Sequence, residues 1–149
     1  MQYMNLKKYG FNERFQQEAS FYEGLYSARV SEQHHYIYKV VSEKGELQAE
    51  VSGKLHYAAE GTMDFPAVGD WVMIDRMDGN SGNAVIRNIL RRKSFFARRA
   101  AGTKEDVQIV AANVDTIFIC MSLNTDFNLR RLERYLSIAW DSMASPVIV

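Results

Sequence analysis

Between residues 87 and 104 the chain carries seven basic side chains and no Asp or Glu: Arg87, Arg91, Arg92, Lys93, Arg98, Arg99 and Lys104. Arg91-Arg92-Lys93 and Arg98-Arg99 bracket Phe95-Phe96. Positive charge beside aromatic rings is what phosphate neutralisation combined with base stacking requires. A second reading stays open, in which Phe95 and Phe96 pack one module against another while the arginines are solvated.

Other chemistry has less support. A phosphate-binding loop needs glycines that let backbone N–H groups approach the phosphates, a Lys for their charge and a Ser or Thr for magnesium. No G-x-x-x-x-G-K-[ST] occurs, since Gly53-Lys54 is followed by Leu55 and lacks the upstream glycine. No glycine has an Asp three positions before it, so a D-x-x-G element is absent too. Thr103-Lys104-Glu105-Asp106 matches the [NT]-K-x-D pattern that recognises guanine. That motif works just past the C-terminal end of a buried strand, whereas this string follows Ala100-Ala101-Gly102 and precedes the strand, so we set it aside. His34 and His35 are adjacent and would point to opposite faces of a strand. His56 is distant in sequence, and exposed barrel or loop histidines are the simpler reading. Cys120 reads as a buried, inert thiol in mid-strand. No metal site, Ser/His/Asp arrangement or carboxylate pair stands out by spacing.

These residues need elements to hold them. Asn5 to Ser20 mixes charged and aromatic residues around Leu6, Tyr9, Phe11 and Phe15, with helical spacing on either side of Gly10. Leu25 to Leu90 then alternates with period two. Tyr26, Ala28 and Val30 share one face, as do Tyr36, Tyr38 and Val40, and then Leu47, Ala49 and Val51. A long connection from Lys54 to Ala67 precedes a fourth strand, Trp71 to Asp75, and a polar loop from Asp78 to Gly82 leads to a fifth, Ala84 to Leu90. Five short strands with the longest gap after the third suggest a small closed barrel of the oligonucleotide/oligosaccharide-binding (OB) type, with an SH3-like barrel as the alternative.

After Arg92 the pattern changes. Val114 to Met121 is a continuous apolar run, as in a parallel strand covered on both faces. A helix from Asn128 to Asp141 follows, with Leu129, Leu132, Leu136 and Ala139 on one side, Asp126 or Asn128 as N-cap, and Arg130, Arg131 and Arg134 turned outward. Pro146 ends the link and Val147-Ile148-Val149 resumes a strand, completing a βαβ crossover. Two strands and a helix make an unfinished α/β domain, with the boundary near Arg91 to Arg99.

With 18 basic and 18 acidic side chains the net charge is zero, so global charge steers the chain to neither nucleic acid nor membrane. A single cysteine allows no internal disulfide and suits a reducing cytoplasm. The N-terminus, Met1 to Gly10, is polar and basic with no apolar core of signal-peptide length, and no run approaches a membrane span.

Four ordered stretches resemble one family. Pro66 to Val72 (PAVGDWV), Arg92 to Arg99 (RKSFFARR), Gln108 to Asp115 (QIVAANVD) and Asp126 to Leu136 (DFNLRRLERYL) look like the ribosome small-subunit-dependent GTPases of the RsgA (YjeQ/YloQ) family. The resemblance runs from about Leu25 to Val149. It implies a mixed fold: an N-terminal helical extension (1–22), an OB-type five-stranded RNA-binding barrel (23–92), a basic junction (93–112) and the start of a circularly permuted P-loop GTPase domain (113–149). Permutation would put the guanine motif, phosphate loop and switch elements beyond Val149, and a zinc-binding domain further on. The family implies GTP hydrolysis with Mg and late maturation of the 30S subunit, with the barrel on 16S rRNA. On that basis Arg91, Arg92, Lys93, Arg98, Arg99, His34 and His35 are the RNA-contact candidates, no residue here is expected to bind GTP or metal, and residues 1–149 alone are expected to be inactive. A monomeric, cytoplasmic protein with no membrane association fits the family. The competing expectation is a stand-alone OB-fold module that binds RNA or protein and has no catalytic role.

Overall fold

The computed structural model describes residues 5–99, 107–125 and 127–149. At the N-terminus the Asn5 side chain caps a short 3-10 turn, Leu6–Tyr9, which Gly10 ends at φ 94°, a left-handed conformation that suits glycine. Asn12 then caps α1 (Glu13–Ala19) by accepting the Phe15 N–H at 3.0 Å. Leu6 and Phe15 are buried against Trp71, Met73 and Leu90. The N-terminal segment is therefore a cover for one outer face of the barrel.

The barrel strands are β1 (Tyr26–His34), β2 (Ile37–Ser42), β3 (Gly45–Val51), β4 (Trp71–Ile74) and β5 (Ala84–Ile89). They close in the order β1-β2-β3-β5-β4, with β3 and β5 parallel and every other pair, including β4 with β1, antiparallel. This order, with β1 shared between β2 and β4, is the OB arrangement and settles the choice of barrel. β1 bridges the two halves because its first residues pair with β4 and its later ones with β2, with an irregularity between Val30 and Glu32 that turns it. Ala28, Val30, Tyr38, Val40, Leu47, Ala49, Val72, Ile74, Ala84 and Ile86 fill the interior. All four residues of β4 are buried, because Val72 and Ile74 face that core while Trp71 and Met73 lie under the N-terminal cover.

Three details depart from the sequence reading. β1 runs to His34, four residues beyond Val30, the last residue the alternation placed on its face. The long third connection contains a helix, α2 (Gly53–Ala58), whose N-cap Ser52 accepts from the Leu55 N–H at 3.1 Å. The basic junction forms an antiparallel pair, β6 (Phe95–Arg99) with β7 (Val107–Ala112).

β8 (Thr116–Ile119), α3 (Leu129–Asp141) and β9 (Ser145–Ile148) make the βαβ unit, with β8 and β9 parallel. Asn128 is the N-cap of α3, accepting from the Arg131 N–H at 3.1 Å; Asp126 lies outside the described residues. Leu132 and Ala139 are buried, but Leu129 is exposed. Of the arginines, Arg130 and Arg134 are exposed and Arg131 is half-buried. β8 is shorter than the apolar run and is not covered on both faces: Phe118 is 67% exposed, and Cys120, expected to be buried, is exposed just past the strand end. Among the described residues a single helix covers this two-stranded sheet, so its second face stays open. No helix among them is long and apolar enough to cross a membrane.

Candidate nucleic-acid interface

The structure separates the basic residues that the sequence grouped. Arg92 is committed inside the protein. Its Nε and Nη2 donate to Asp70 Oδ1 and Oδ2 at 2.8 and 2.7 Å, and its Nη1 and Nη2 donate to the carbonyls of Met63 and Phe65 at 2.8 and 3.0 Å. Asp70 is fully buried. A two-point guanidinium–carboxylate contact is the strongest form of ion pair, and one with so little exposure holds structure together. Arg91, Lys93 and Arg98 are exposed. Lys93 Nζ meets Asp115, a surface pair of the kind that exchanges readily with other anions. Arg99 closes β6, and the Thr103 to Asp106 string lies outside the described residues.

Arg92 is one part of an interlock between barrel and junction. The Gly69 carbonyl accepts from Arg29 Nε and from Asn113 Nδ2, both at 3.0 Å. Asn113 Oδ1 accepts the Lys93 N–H at 2.8 Å, and the Asn113 carbonyl accepts from Arg29 Nη2 at 2.7 Å. The Ala112 N–H donates to Val68 O at 2.8 Å. Backbones approach so closely that a Cβ built on Gly69, at φ +94°, would lie 2.0 Å from the Ala112 oxygen. Asn113 takes φ 55°, which Asn tolerates better than most residues. Burial pulls the Arg29 guanidinium below its usual pKa, and Asp115 and Asp70 oppose that; it stays charged at any ordinary pH. The first three stretches singled out in the sequence thus meet in space: PAVGDWV, RKSFFARR and QIVAANVD supply Gly69 and Asp70, Arg92, and Asn113.

The two adjacent histidines have different surroundings. His34, at the end of β1, lies 3.0 Å from Glu32 Oε2, and Glu32 is also within 3.7 Å of Lys39. The hydrogen bond from His34, then the Lys39 charge, lower the Glu32 pKa. His35 occupies the turn at φ 53° and lines a cleft of ≈ 250 Å3 with Gln33, Tyr36, His56, Phe65 and Gln108. His56, remote in sequence, comes within 6.1 Å of the Tyr36 ring and 5.4 Å of the Phe65 ring because α2 folds beneath the β1–β2 turn. Sequence reasoning missed Tyr36, His56 and Phe65 as a group; the only available signal was an aromatic or imidazole in each of two connections. A larger groove, ≈ 1260 Å3, runs between the barrel, β6 and α3, but Glu23, Asp64 and Asp141 line it together with Lys54, Arg87 and Lys93. Its mixed charge makes it a poor polyanion channel.

A family model described as RsgA GTPase matches residues 89–149. Over 146 residues the chain is 49% identical to the small ribosomal subunit biogenesis GTPase RsgA 2 of Lactiplantibacillus plantarum, covering 98% of this chain and 41% of that protein. The chain is similar to RsgA proteins along nearly all of its own length. The RsgA of Methanosarcina acetivorans is 42% identical over 142 residues, 94% of this chain and 37% of the relative. The chain therefore spans about two fifths of the length of these RsgA relatives. Among solved structures, YjeQ from Thermotoga maritima superposes with a TM-score of 0.57 at 23% identity, covering 83% of this chain and 40% of that one. YloQ, a circularly permuted GTPase, gives 0.56 at 17%, covering 85% and 40%. Both support the fold. The RsgA match starts inside β5, so Arg92 and Asn113 fall within it while their partners Asp70 and Gly69 lie before it.

A GTPase family implies GTP and Mg. The residues present do not fit them: the sequence has no phosphate loop, and among the described residues no three His, Cys, Asp or Glu side chains cluster to hold an ion. No catalytic step is assigned to this chain.

Proposed function

We infer that this chain is the barrel and leading α/β portion of a cytoplasmic, monomeric GTPase that assists late maturation of the small ribosomal subunit, with the barrel and basic junction on 16S rRNA. The 49% identity to a small ribosomal subunit biogenesis GTPase, sustained over 98% of the chain, is the observation that carries this reading. GTP hydrolysis with Mg, and zinc binding, belong to parts of the protein other than these residues. Exposed Arg91, Lys93 and Arg98 supply the phosphate contacts, and Arg92, held on Asp70, sets the junction's position against the barrel. The interlock gives a physical route by which an RNA contact on the barrel bears on the α/β unit, since displacing the junction breaks several buried or part-buried hydrogen bonds at once.

Co-sedimentation of the chain with 30S subunits across a salt series tests the reading. Three phosphate contacts give a log–log salt slope of about −2 to −3, and replacing Arg91, Lys93 and Arg98 with Gln flattens it. The chain alone turns over no GTP. Absence of 30S and rRNA binding at low salt would sink the proposal.

A further inference from the structure

We propose that the cleft beneath the β1–β2 turn is a stacking pocket for one unpaired RNA base, with Tyr36 as the stacking face. This rests on the rRNA-binding reading above and assigns it a specific site. Tyr36 leaves 70% of its surface exposed. Its ring is nevertheless braced: His56 lies 6.1 Å away at 44°, and Phe65 meets His56 edge-on at 5.4 Å and 80°. Both separations are within the range of attractive ring contacts. Phe65 is half-buried, so the row of rings is anchored at its inner end and open at its outer end. A ring held open to solvent in a fixed orientation is ready to stack without a further ordering cost.

The lining selects the occupant. Gln33, His35, His56 and Gln108 offer amide and imidazole groups, and among the described residues no carboxylate or ammonium lines the cleft. Neutral groups that both donate and accept hydrogen bonds match the edge of a base, which is exposed when the base is unpaired. A cavity of ≈ 250 Å3 is below the usual size of drug-sized ligand sites, so it admits a single ring system and excludes a duplex. Charge is present at the rim. Arg98 is directly opposite Gln108 in the β6–β7 register, and opposed residues of an antiparallel pair share a face. That places a guanidinium beside the cleft, where the phosphate of a bound nucleotide would lie. The first inter-strand loop is also a face on which OB barrels take oligonucleotides.

The experiment uses the 149-residue chain and a ten-nucleotide single-stranded RNA carrying one 2-aminopurine. Stacking on Tyr36 quenches the 2-aminopurine fluorescence. Tyr36→Ala abolishes the quench and weakens binding roughly 5- to 150-fold, the range of one lost base–aromatic stack. His56→Ala weakens it less, and neither variant changes the salt slope because neither removes a cation. Replacing the 2-aminopurine with an abasic nucleotide removes the difference between wild type and Tyr36→Ala. Both side chains are exposed, and thermal unfolding of each variant checks that the fold is retained. Affinity of Tyr36→Ala within twofold of wild type, or an equal loss on abasic RNA, overturns the pocket and leaves the salt-dependent rRNA reading standing. A variant that loses 30S affinity but keeps oligonucleotide affinity also overturns it, by making the cleft a contact for a ribosomal protein. If the wild type binds neither oligonucleotide nor 30S, both proposals fall.

Discussion

Replacing Arg92 with Met separates the structural reading of the basic segment from the electrostatic one. The substitution keeps the aliphatic stem and removes the guanidinium, leaving the Asp70 carboxylate buried with, among the described residues, the Ala67 N–H at 2.8 Å as its remaining donor. Breaking a buried ion pair by removing one partner costs about 3–5 kcal/mol. The Arg92 side chain is 15% exposed, so water can reach the vacated space, and the lower end, about 3 kcal/mol, is expected. For a domain of this size that corresponds to a fall of about 6–12 °C in Tm. Trp71, buried next to Asp70, reports the unfolding by fluorescence, with exposed Trp140 as a constant background. Adding Asp70→Asn to Arg92→Met removes the stranded charge and restores at least about 1 kcal/mol, a coupling only neighbours show. Arg91→Ala, on an exposed side chain, changes stability by less than about 0.5 kcal/mol. If Arg92→Met keeps wild-type stability while losing RNA affinity like Arg91→Ala, the assignment of Arg92 to the interlock is wrong.

Two further outcomes follow from the same contacts. Gly69→Ala puts a methyl group 2.0 Å from the Ala112 oxygen at φ +94°; left-handed strain of about 1–2 kcal/mol and overpacking of about 1–3 kcal/mol together predict a loss of about 2–5 kcal/mol. Amide exchange at Ala112, which donates to Val68, accelerates in that variant, and unchanged exchange would contradict the close approach. Asp75 accepts from Arg76 and from the Val85 N–H at 2.8 Å, and these bonds, the Arg76 one foremost, lower its pKa. A carboxyl depressed in the folded state contributes its stability above the unfolded value of about 3.9 and loses it as pH falls through the folded value. Urea midpoints of the wild type therefore drop below about pH 4, and those of Asp75→Asn drop less steeply. Parallel acid limbs would remove Asp75 from the account.

The barrel was legible because period-two alternation reports a sheet with one face inside: Ala28, Val30, Tyr38, Val40, Leu47 and Ala49 all reached the core. A closed barrel was expected from five strands with the longest gap after the third; the choice between an OB and an SH3-like barrel stayed open, since the parallel β3–β5 pair depends on a connection whose helix, α2, is six residues long and lacks a full amphipathic repeat. Cys120 and Phe118 were misjudged for a related reason. A continuous apolar run shows that a strand can be covered on both faces, and only neighbouring elements decide whether it is. Tyr36 fell in phase with Tyr38 and Val40 and yet points away from the core, because it sits in the turn, one residue before β2 starts.

By itself the sequence determined local periodicity, the candidate cap at Asn128, the βαβ unit and the four stretches that mark the family, all properties of residues near one another along the chain. Tertiary structure decided which charges are free. Arg91, Arg92 and Lys93 are consecutive, yet only Arg92 has a buried carboxylate within reach, and that carboxylate comes from position 70. Likewise Tyr36, His56 and Phe65 form one row of rings only because the long third connection folds back under the first turn. Whether an arginine holds a fold or meets a phosphate depends on the partner and solvent around its guanidinium, and those are fixed by residues distant in the chain.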